Sequence, residues 1–436
     1  MDSTDVEQNL SGVRTGKRLE TAAGLDLILI SARLLFANGQ TTRTMVAAVE
    51  KLGVRLGIRA SVFPRWGELA VRIEDAAGSR YEIIAVEPAG VDMHKVIATM
   101  DVVDQVYDKR MDAIAARSAL ETISRFPPVS LARFALLAGA GAAALGVIFD
   151  ATHVPSLILI GISAGAGACL RRWLAAKSSN LFVQPFCAAL LAGIVGAIAV
   201  RLQLSSVLRL VAVCPCMILV PGPHLLNGAL DLARGRIGLG IERITYASLI
   251  ILMICAGLVL GLALGGVTLP ASAPSHSVPL WYDVPAAGVA VAAYGTFFNM
   301  PWRLLPIPFL VGMLAHACRW ALISEAGASA ETGAVVACFV VGTIMTPIAN
   351  RLRMPFAGVA FASVVSLLPG VFVFRMAAGM VDIVMLNQQA PRELFMQVTG
   401  DGMTALLIVL AMAFGLILPK MGIDHFTQPA LPATDK

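Results

Sequence analysis

The segment from Leu219 to Leu232, LVPGPHLLNGALDL, places several chemically capable residues around a break in an apolar run. Pro221 and Gly222 interrupt helical hydrogen bonding, which frees carbonyl groups before the break and amide groups at the start of a new helix. Freed carbonyls bind cations or ammonium groups, whereas helix N-terminal amides bind carboxylates. We therefore predict that this break binds a small molecule with both charges, such as an amino acid. The alternative is an ordinary loop that returns the chain to the membrane.

Polar residues follow this break at helical spacing. Asn227 and Asp231 are four residues apart, so they lie on one face of the restarted helix, and we predict that both bind the substrate. Ionisable residues near membrane segments are costly and often functional. We therefore predict that His224, Asp231 and Glu242 carry a proton whose movement is coupled to that of the bound molecule. For His224 the alternative is a structural hydrogen bond.

A second break, LLPG at residues 367–370, resembles the first. Ser366, Pro369 and Gly370 complete the predicted substrate site. His316 precedes this break and is a further candidate to carry a coupled proton, because imidazole titrates near neutral pH.

The two breaks belong to a longer internal repeat. Arg172, in the sequence CLRRW, precedes Pro221 by 49 residues, and Arg319, in CRW, precedes Pro369 by 50. Repeated membrane units with interrupted helices are typical of secondary transporters, whose substrate sites lie near the bilayer midplane. The matched order predicts two related halves that move around one site.

The composition indicates an integral membrane protein. Hydrophobic residues form 57% of the chain and charged residues 14%, against roughly 45–50% and 25% in soluble domains. Apolar runs predict about ten spanning helices, at residues 130–149, 155–170, 181–200, 205–221, 244–268, 283–299, 304–318, 333–349, 355–374 and 403–419. Eleven Lys and Arg residues flank these runs on the side of the N-terminus and four on the other side. The positive-inside rule therefore places both termini in the cytoplasm.

The predicted architecture is an α-helical membrane protein with an N-terminal cytoplasmic α+β domain. Residues 1–128 alternate helical and strand patterns, and Pro127–Pro128 ends this domain. Two five-helix repeats follow at 129–269 and 280–420, before a cytoplasmic tail at 421–436. Because five is odd, two related units in one chain face opposite ways, which predicts an inverted repeat.

Within the N-terminal domain, cap residues and alternation predict four helices and three strands. The helices are expected at Leu25–Asn38, Thr42–Leu56, Asp92–Asp108 and Met111–Ser124, and the strands at Ala60–Phe63, Leu69–Ile73 and Tyr81–Val86. We find no nucleophile–base pair, phosphate loop or metal-ligand spacing in the sequence. The seven cysteines lie in or beside apolar runs and are expected to be small buried hydrophobes. We predict no cofactor, no metal, no nucleic-acid partner and no enzymatic activity.

Three segments carry a resemblance to a known family. They are SARLLFANG at Ser31–Gly39, the first LVPG with Asn227 and Asp231, and Arg351–Gly370, which ends in LLPG. With these segments the chain resembles the ThrE family of bacterial threonine/serine exporters. The resemblance implies a cytoplasmic domain fused to ten spans in the bacterial inner membrane, and export of threonine and serine driven by the proton motive force. It assigns no substrate site.

Other cargoes and roles remain open at this level. Related proteins that divide the two modules between separate chains are linked to dicarboxylate export, and a succinate-like cargo would give Arg243 or Arg375 the binding role. A membrane-tethered hydrolase or sensor is the third hypothesis. The expected partners are threonine, serine, protons and membrane lipid, and assembly into a homo-oligomer stays open.

Overall fold

The computed structural model describes residues 24–75, 78–151, 153–202, 208–268 and 278–427. The described residues form two separate hydrophobic cores. The buried residues of one come almost entirely from residues 27–123, and the other is built from the helices that follow. We refer to these parts as the front domain and the membrane part.

The front domain packs helices against a three-stranded antiparallel sheet of order β1–β2–β3. Asp92 and Asp112 begin its last two helices, where each carboxylate accepts a hydrogen bond from a backbone N–H three residues later. The predicted strands are present but longer. The sequence also predicts a hairpin-like turn at residues 76–79, of which residues 76 and 77 lie outside the described ranges. The elements are α1 (24–37), α2 (Thr42–Leu56), β1 (Arg59–Arg65), β2 (Gly67–Asp75), β3 (Gly78–Val86), α3 (Met93–Tyr107) and α4 (Ala113–Ser124).

The membrane part is entirely helical across its described residues. Eight helices are long and apolar enough to cross a membrane, and a ninth candidate is the pair α8–α9, which bends by 52° at a break. The chain is therefore a multi-pass membrane protein, while the count of about ten stays a prediction. The helices are α5 (Leu131–Ile148), α6 (Val154–Lys177), α7 (Val183–Arg201), α8 (Leu208–Met217), α9 (Gly222–Ala233), α10 (Ile237–Leu264), α11 (Leu280–Phe297), α12 (Pro306–Ser324), α13 (Ala330–Arg351), α14 (Phe356–Val364), α15 (Gly370–Leu386) and α16 (Arg392–Thr427).

The predicted span at 355–374 is discontinuous, a point that the sequence left open. Its first part is the short helix α14, which ends in a 3₁₀ turn at Val365–Leu367, and a new helix, α15, begins at Gly370. Proline cannot donate the next helical hydrogen bond and its ring collides with the preceding turn. Pro369 therefore separates α14 from α15, and Pro221 separates α8 from α9 in the same way.

The order of helices and their neighbours recurs in the two halves. Helix α7 packs on α10 as α13 packs on α16, and α5 packs on α6 as α11 packs on α12. The pairing of α7 with α10 and that of α13 with α16 both rely on glycine. A Cβ at Gly193 would lie 2.5 Å from the Leu258 carbonyl oxygen, and a Cβ at Gly342 would lie 3.0 Å from the Gly415 carbonyl oxygen. Small residues permit such close helix approach in lipid. The inverted relation between the halves stays a prediction.

The front domain contacts one end of the membrane part. The amide of Met93 donates to the Phe298 carbonyl over 2.9 Å, and Asn299 donates to the Asp92 carboxylate over 2.6 Å. Arg353 forms ion pairs with Asp101 and Asp104 of α3. These contacts come from the connections α11–α12 and α13–α14, both of which the sequence predicts on the side of the N-terminus.

Candidate functional site

The polar face of α9 is turned toward the front domain. Asn227 donates to the Gly39 carbonyl over 3.2 Å, and Thr42 donates to the Asp231 carboxylate over 2.9 Å. The spacing argument is correct, since both residues lie on one buried face. That face contacts the front domain in this conformation, so their assignment to the substrate stays a prediction.

Asp231 is surrounded by cations as well. Its carboxylate lies 3.2 Å from Nε of Arg243 and 3.6 Å from a terminal nitrogen of Arg236. The Arg243 side chain is fully buried and its guanidinium also covers the Phe36 ring. The Asp231 carboxylate therefore joins the front domain, through Thr42, to Arg243 of the membrane part. Its removal would leave Arg243 buried and unpaired.

The other two residues predicted for proton coupling near the first break also meet the front domain. His224 is buried beside Tyr246, with ring centres 5.2 Å apart, and Trp66 of the front domain lies 6.5 Å away. Glu242 is exposed and accepts a hydrogen bond from the Trp66 amide over 3.0 Å. The structure thus places His224 and Glu242 along the same interface as Asp231.

The two breaks pack against each other. A Cβ at Gly222 would lie 1.7 Å from the Phe361 ring of α14, and one at Gly370 would lie 2.8 Å from Met217 of α8. Tyr294 of α11 donates a hydrogen bond to the Met217 carbonyl. One of the carbonyls freed by the first break therefore already has a partner.

A chain of three buried polar side chains lies beside the second break. The Asp283 carboxylate lies 2.9 Å from Nε2 of His316, and Nδ1 of His316 lies 2.9 Å from the Ser366 hydroxyl. Asp283 is 6% exposed, His316 1% and Ser366 3%. The structure brings together two residues that the sequence assigned to different roles and adds an acid to them.

The sequence analysis did not single out Asp283, although a signal was available. It is the acidic residue in the first turn of α11, within an otherwise apolar run. An ionisable residue inside a membrane segment indicates a functional site by itself. Asp283 was treated as the polar boundary of a span, because its partner His316 comes from another helix.

Pro369 and Gly370 follow Ser366, the last of these three residues, closely in the sequence. Ser366 belongs to the 3₁₀ turn between α14 and the proline, and α15 begins at Gly370. A change in the hydrogen bond between His316 and Ser366 therefore acts on the turn that joins the two helices.

Three further ion pairs lie in the membrane part, and two of them connect different helices. Lys420 and Arg234 both contact the buried Asp424, at 2.9 Å each, and Arg375 pairs with Asp401 over 3.0 Å. The dicarboxylate hypothesis gave Arg243 or Arg375 the binding role, and each has an acidic partner here. No group of three potential ligands for a metal ion occurs among the residues in the described ranges.

Comparison with protein families identifies the family of the chain. A family model described as a threonine/serine exporter, ThrE, matches residues 26–265, and a second ThrE model, also a threonine/serine exporter, matches residues 283–421. The chain belongs to the threonine/serine exporter family. The first ThrE match covers the front domain with α5–α10, and the second covers α11–α16, so the division falls between the two halves. No curated protein and no solved structure matches the chain.

Proposed function

We propose that this protein exports threonine and serine from the bacterial cytoplasm across the inner membrane, with protons moving in the opposite direction. Membership in the ThrE family supports the cargo, and the buried pair of Asp283 and His316 supports the coupling to protons. The front domain lies on the cytoplasmic side, and the two halves alternate access around the crossed breaks.

The Asp283–His316 pair has the chemistry that proton coupling requires. The guanidinium of Arg319 on α12 interacts electrostatically with Asp283, so it belongs to the charge balance of the pair. With a neutral imidazole the Asp283 carboxylate balances Arg319, and a proton gained by the pair leaves one net positive charge in the interior. Because a net charge in a membrane interior is unfavourable, each proton step favours a different arrangement of the surrounding helices.

Ser366 links this pair to the moving part of the protein. An imidazole nitrogen that loses its proton changes from hydrogen-bond donor to acceptor. The Ser366 hydroxyl must then reverse its own role, and it belongs to the turn before Pro369. Protonation of the pair is thereby transmitted to the connection between α14 and α15.

Efflux from loaded cells tests the proposed function. Cells with and without the protein are preloaded with a threonine-containing dipeptide, and threonine and serine release is followed before and after a protonophore. The proposal predicts faster release that stops when the proton gradient collapses. Unchanged release of both amino acids, with the protein present in the membrane, would reject it and make succinate release the next assay.

A further inference from the structure

A small cavity in the first half contains a cation that has no acidic partner among the residues that the structure describes. Arg171 lines it together with Ser163 of the same helix, Pro215, Ile218 and Leu219 beside the first break, and Phe297 of α11. Two nitrogens of Arg171, Nε and Nη1, are inaccessible to solvent and have no hydrogen-bond partner. The Ser163 hydroxyl is also buried and has none.

Four of the helices around this cavity offer no compensating charge, and the acid of the fifth, Asp283 of α11, lies at the far end of that helix. Helices α5, α6, α7 and α8 contain neither Asp nor Glu. The guanidinium of Arg171 lies over the Phe297 ring, 4.6 Å from its centre. A ring face attracts a cation but does not satisfy its N–H donors. The cavity therefore presents unused donors and a positive charge to whatever enters it.

The second half provides an internal comparison. There Arg319, which the repeat aligns with Arg172, the neighbour of Arg171, lies on α12, the helix that corresponds to α6. It interacts electrostatically with Asp283 on α11. The corresponding helix of the first half, α5, has no acid to supply. Three other arginines of the membrane part, Arg243, Arg234 and Arg375, each pair with a carboxylate within 3.2 Å. Arg171 has no such carboxylate among the described residues, so the space beside its guanidinium is open to the carboxylate of a bound molecule.

We infer that Arg171 binds the carboxylate group of the transported molecule, with Ser163 as an additional donor. This inference rests on the proposed function, since it assigns the substrate of that function to a site. Arginine recognises carboxylates through charge-assisted hydrogen bonds. The cavity has room for about one water molecule in this conformation, so the side chain of Phe297 or Leu219 withdraws when substrate enters.

The position suits loading from the side of the front domain. Arg171 is near the end of α6, and the next residue, Arg172, donates to the Val129 carbonyl at the entrance to α5. Phe297 precedes Phe298, whose carbonyl accepts from Met93 of the front domain. The Asp283–His316 pair belongs to the opposite end, because Asp283 is at the start of α11 and Phe297 at its end.

Analogues that lack the carboxylate test the inference. Full-length wild type, Arg171→Gln and the matched control Arg172→Gln are reconstituted in liposomes, and threonine counterflow is measured in competition with threonine and with threoninol. Wild type and Arg172→Gln should prefer threonine. Arg171→Gln should raise the KM for threonine about 10-fold or more and should no longer distinguish threonine from threoninol.

Transport by the wild type, followed by thermal unfolding of the same purified proteins, distinguishes failure of the carboxylate site from failure of the proposed function. If wild type transports threonine but Arg171→Gln keeps its preference over threoninol, the carboxylate site is rejected and the proposed function stands. If wild type transports neither threonine nor serine, the proposed function fails. The site is then judged by stabilisation with succinate: loss of that stabilisation in Arg171→Gln alone supports it, and retention rejects it.

Discussion

Three side chains, Asp283, His316 and Ser366, have the residue types of a hydrolytic triad. Ser366 is 3% exposed, however, and lies in a turn between two helices of a membrane protein. Its hydrogen bond to His316 fixes the orientation of the imidazole. We therefore assign it a positioning role in proton transfer rather than a nucleophilic one.

Replacement of Ser366 separates these roles. Ser366→Ala should retain threonine export at a rate reduced about 2- to 10-fold, in line with the loss of one hydrogen bond of about 1 kcal/mol, and its pH profile should shift. Transport rates across a pH series in liposomes measure both effects. An unchanged pH profile would remove Ser366 from the proton pathway.

Glu50 in α2 of the front domain gives a second prediction at this scale. Burial raises the pKa of its carboxyl group, and Arg236 lowers it by a smaller amount. One of its oxygens is buried without a partner. The folded protein thus favours the protonated form, so this group lowers stability as pH rises through the carboxyl range and keeps it lower above the raised pKa.

Glu50→Gln should therefore increase the melting temperature at about pH 8 and have little effect at about pH 4, where the carboxyl group is protonated in both states. Thermal unfolding of the purified protein at the two pH values measures the difference. A gain confined to the lower pH would contradict the assignment.

At the scale of elements, the Pro-Gly breaks were predicted from the sequence but their geometry was not. The motifs at Pro221 and Pro369 are visible because proline and glycine act on their own helix. The hydrogen bonds of Asp231 to Thr42 and of Asn227 to Gly39 join residues more than 180 positions apart. No local pattern announces such contacts, so the role of α9 as the docking face for the front domain became clear only in three dimensions.

The same limit applies to two features of the membrane part. Arg171 looks like a flanking cation because it closes an apolar run. Its unpaired state depends on the absence of acids from its own helix and from three others. Whether the span at 355–374 is broken stayed open in the sequence, because Leu, Val and Phe continue past Pro369 and hydropathy does not register a lost hydrogen bond.

The crossing of the breaks predicts different tolerance for two glycines. Gly222→Ala should impair transport and cost roughly 1–3 kcal/mol of stability through overpacking, because its Cβ would overlap the Phe361 ring. Gly370→Ala should be milder, since it meets the flexible Met217. Transport and thermal stability of both variants measure this.

Two companion variants make the test specific. Gly238→Ala introduces the same methyl group in α10, where nothing lies within 4 Å, and should behave as wild type. Phe361→Ala added to Gly222→Ala should restore part of the lost transport. No recovery would mean that the clash with Phe361 is not what impairs transport by Gly222→Ala.

At the scale of the whole molecule, the front domain is attached through the polar face of α9. Thr42→Val removes the hydroxyl that donates to Asp231 while keeping the shape of the side chain. A buried acceptor left without its donor costs about 1–3 kcal/mol. Hydrogen exchange of α9 should therefore become faster.

The matched control is Thr44→Val in the same helix. The hydroxyl of Thr44 bonds to Thr41 within the front domain rather than to α9. Equal exchange in α9 for the two variants would show that Thr42 does not hold the front domain in place.

The central claim is that the Asp283–His316 pair couples threonine and serine export to protons, and Asp283→Asn tests it most directly. In liposomes this variant should still exchange internal for external threonine, but an imposed proton gradient should no longer drive net efflux. Asp382→Asn, which changes an acid of α15 outside the pair, should retain both activities. Net efflux by Asp283→Asn that still follows the proton gradient would contradict the account.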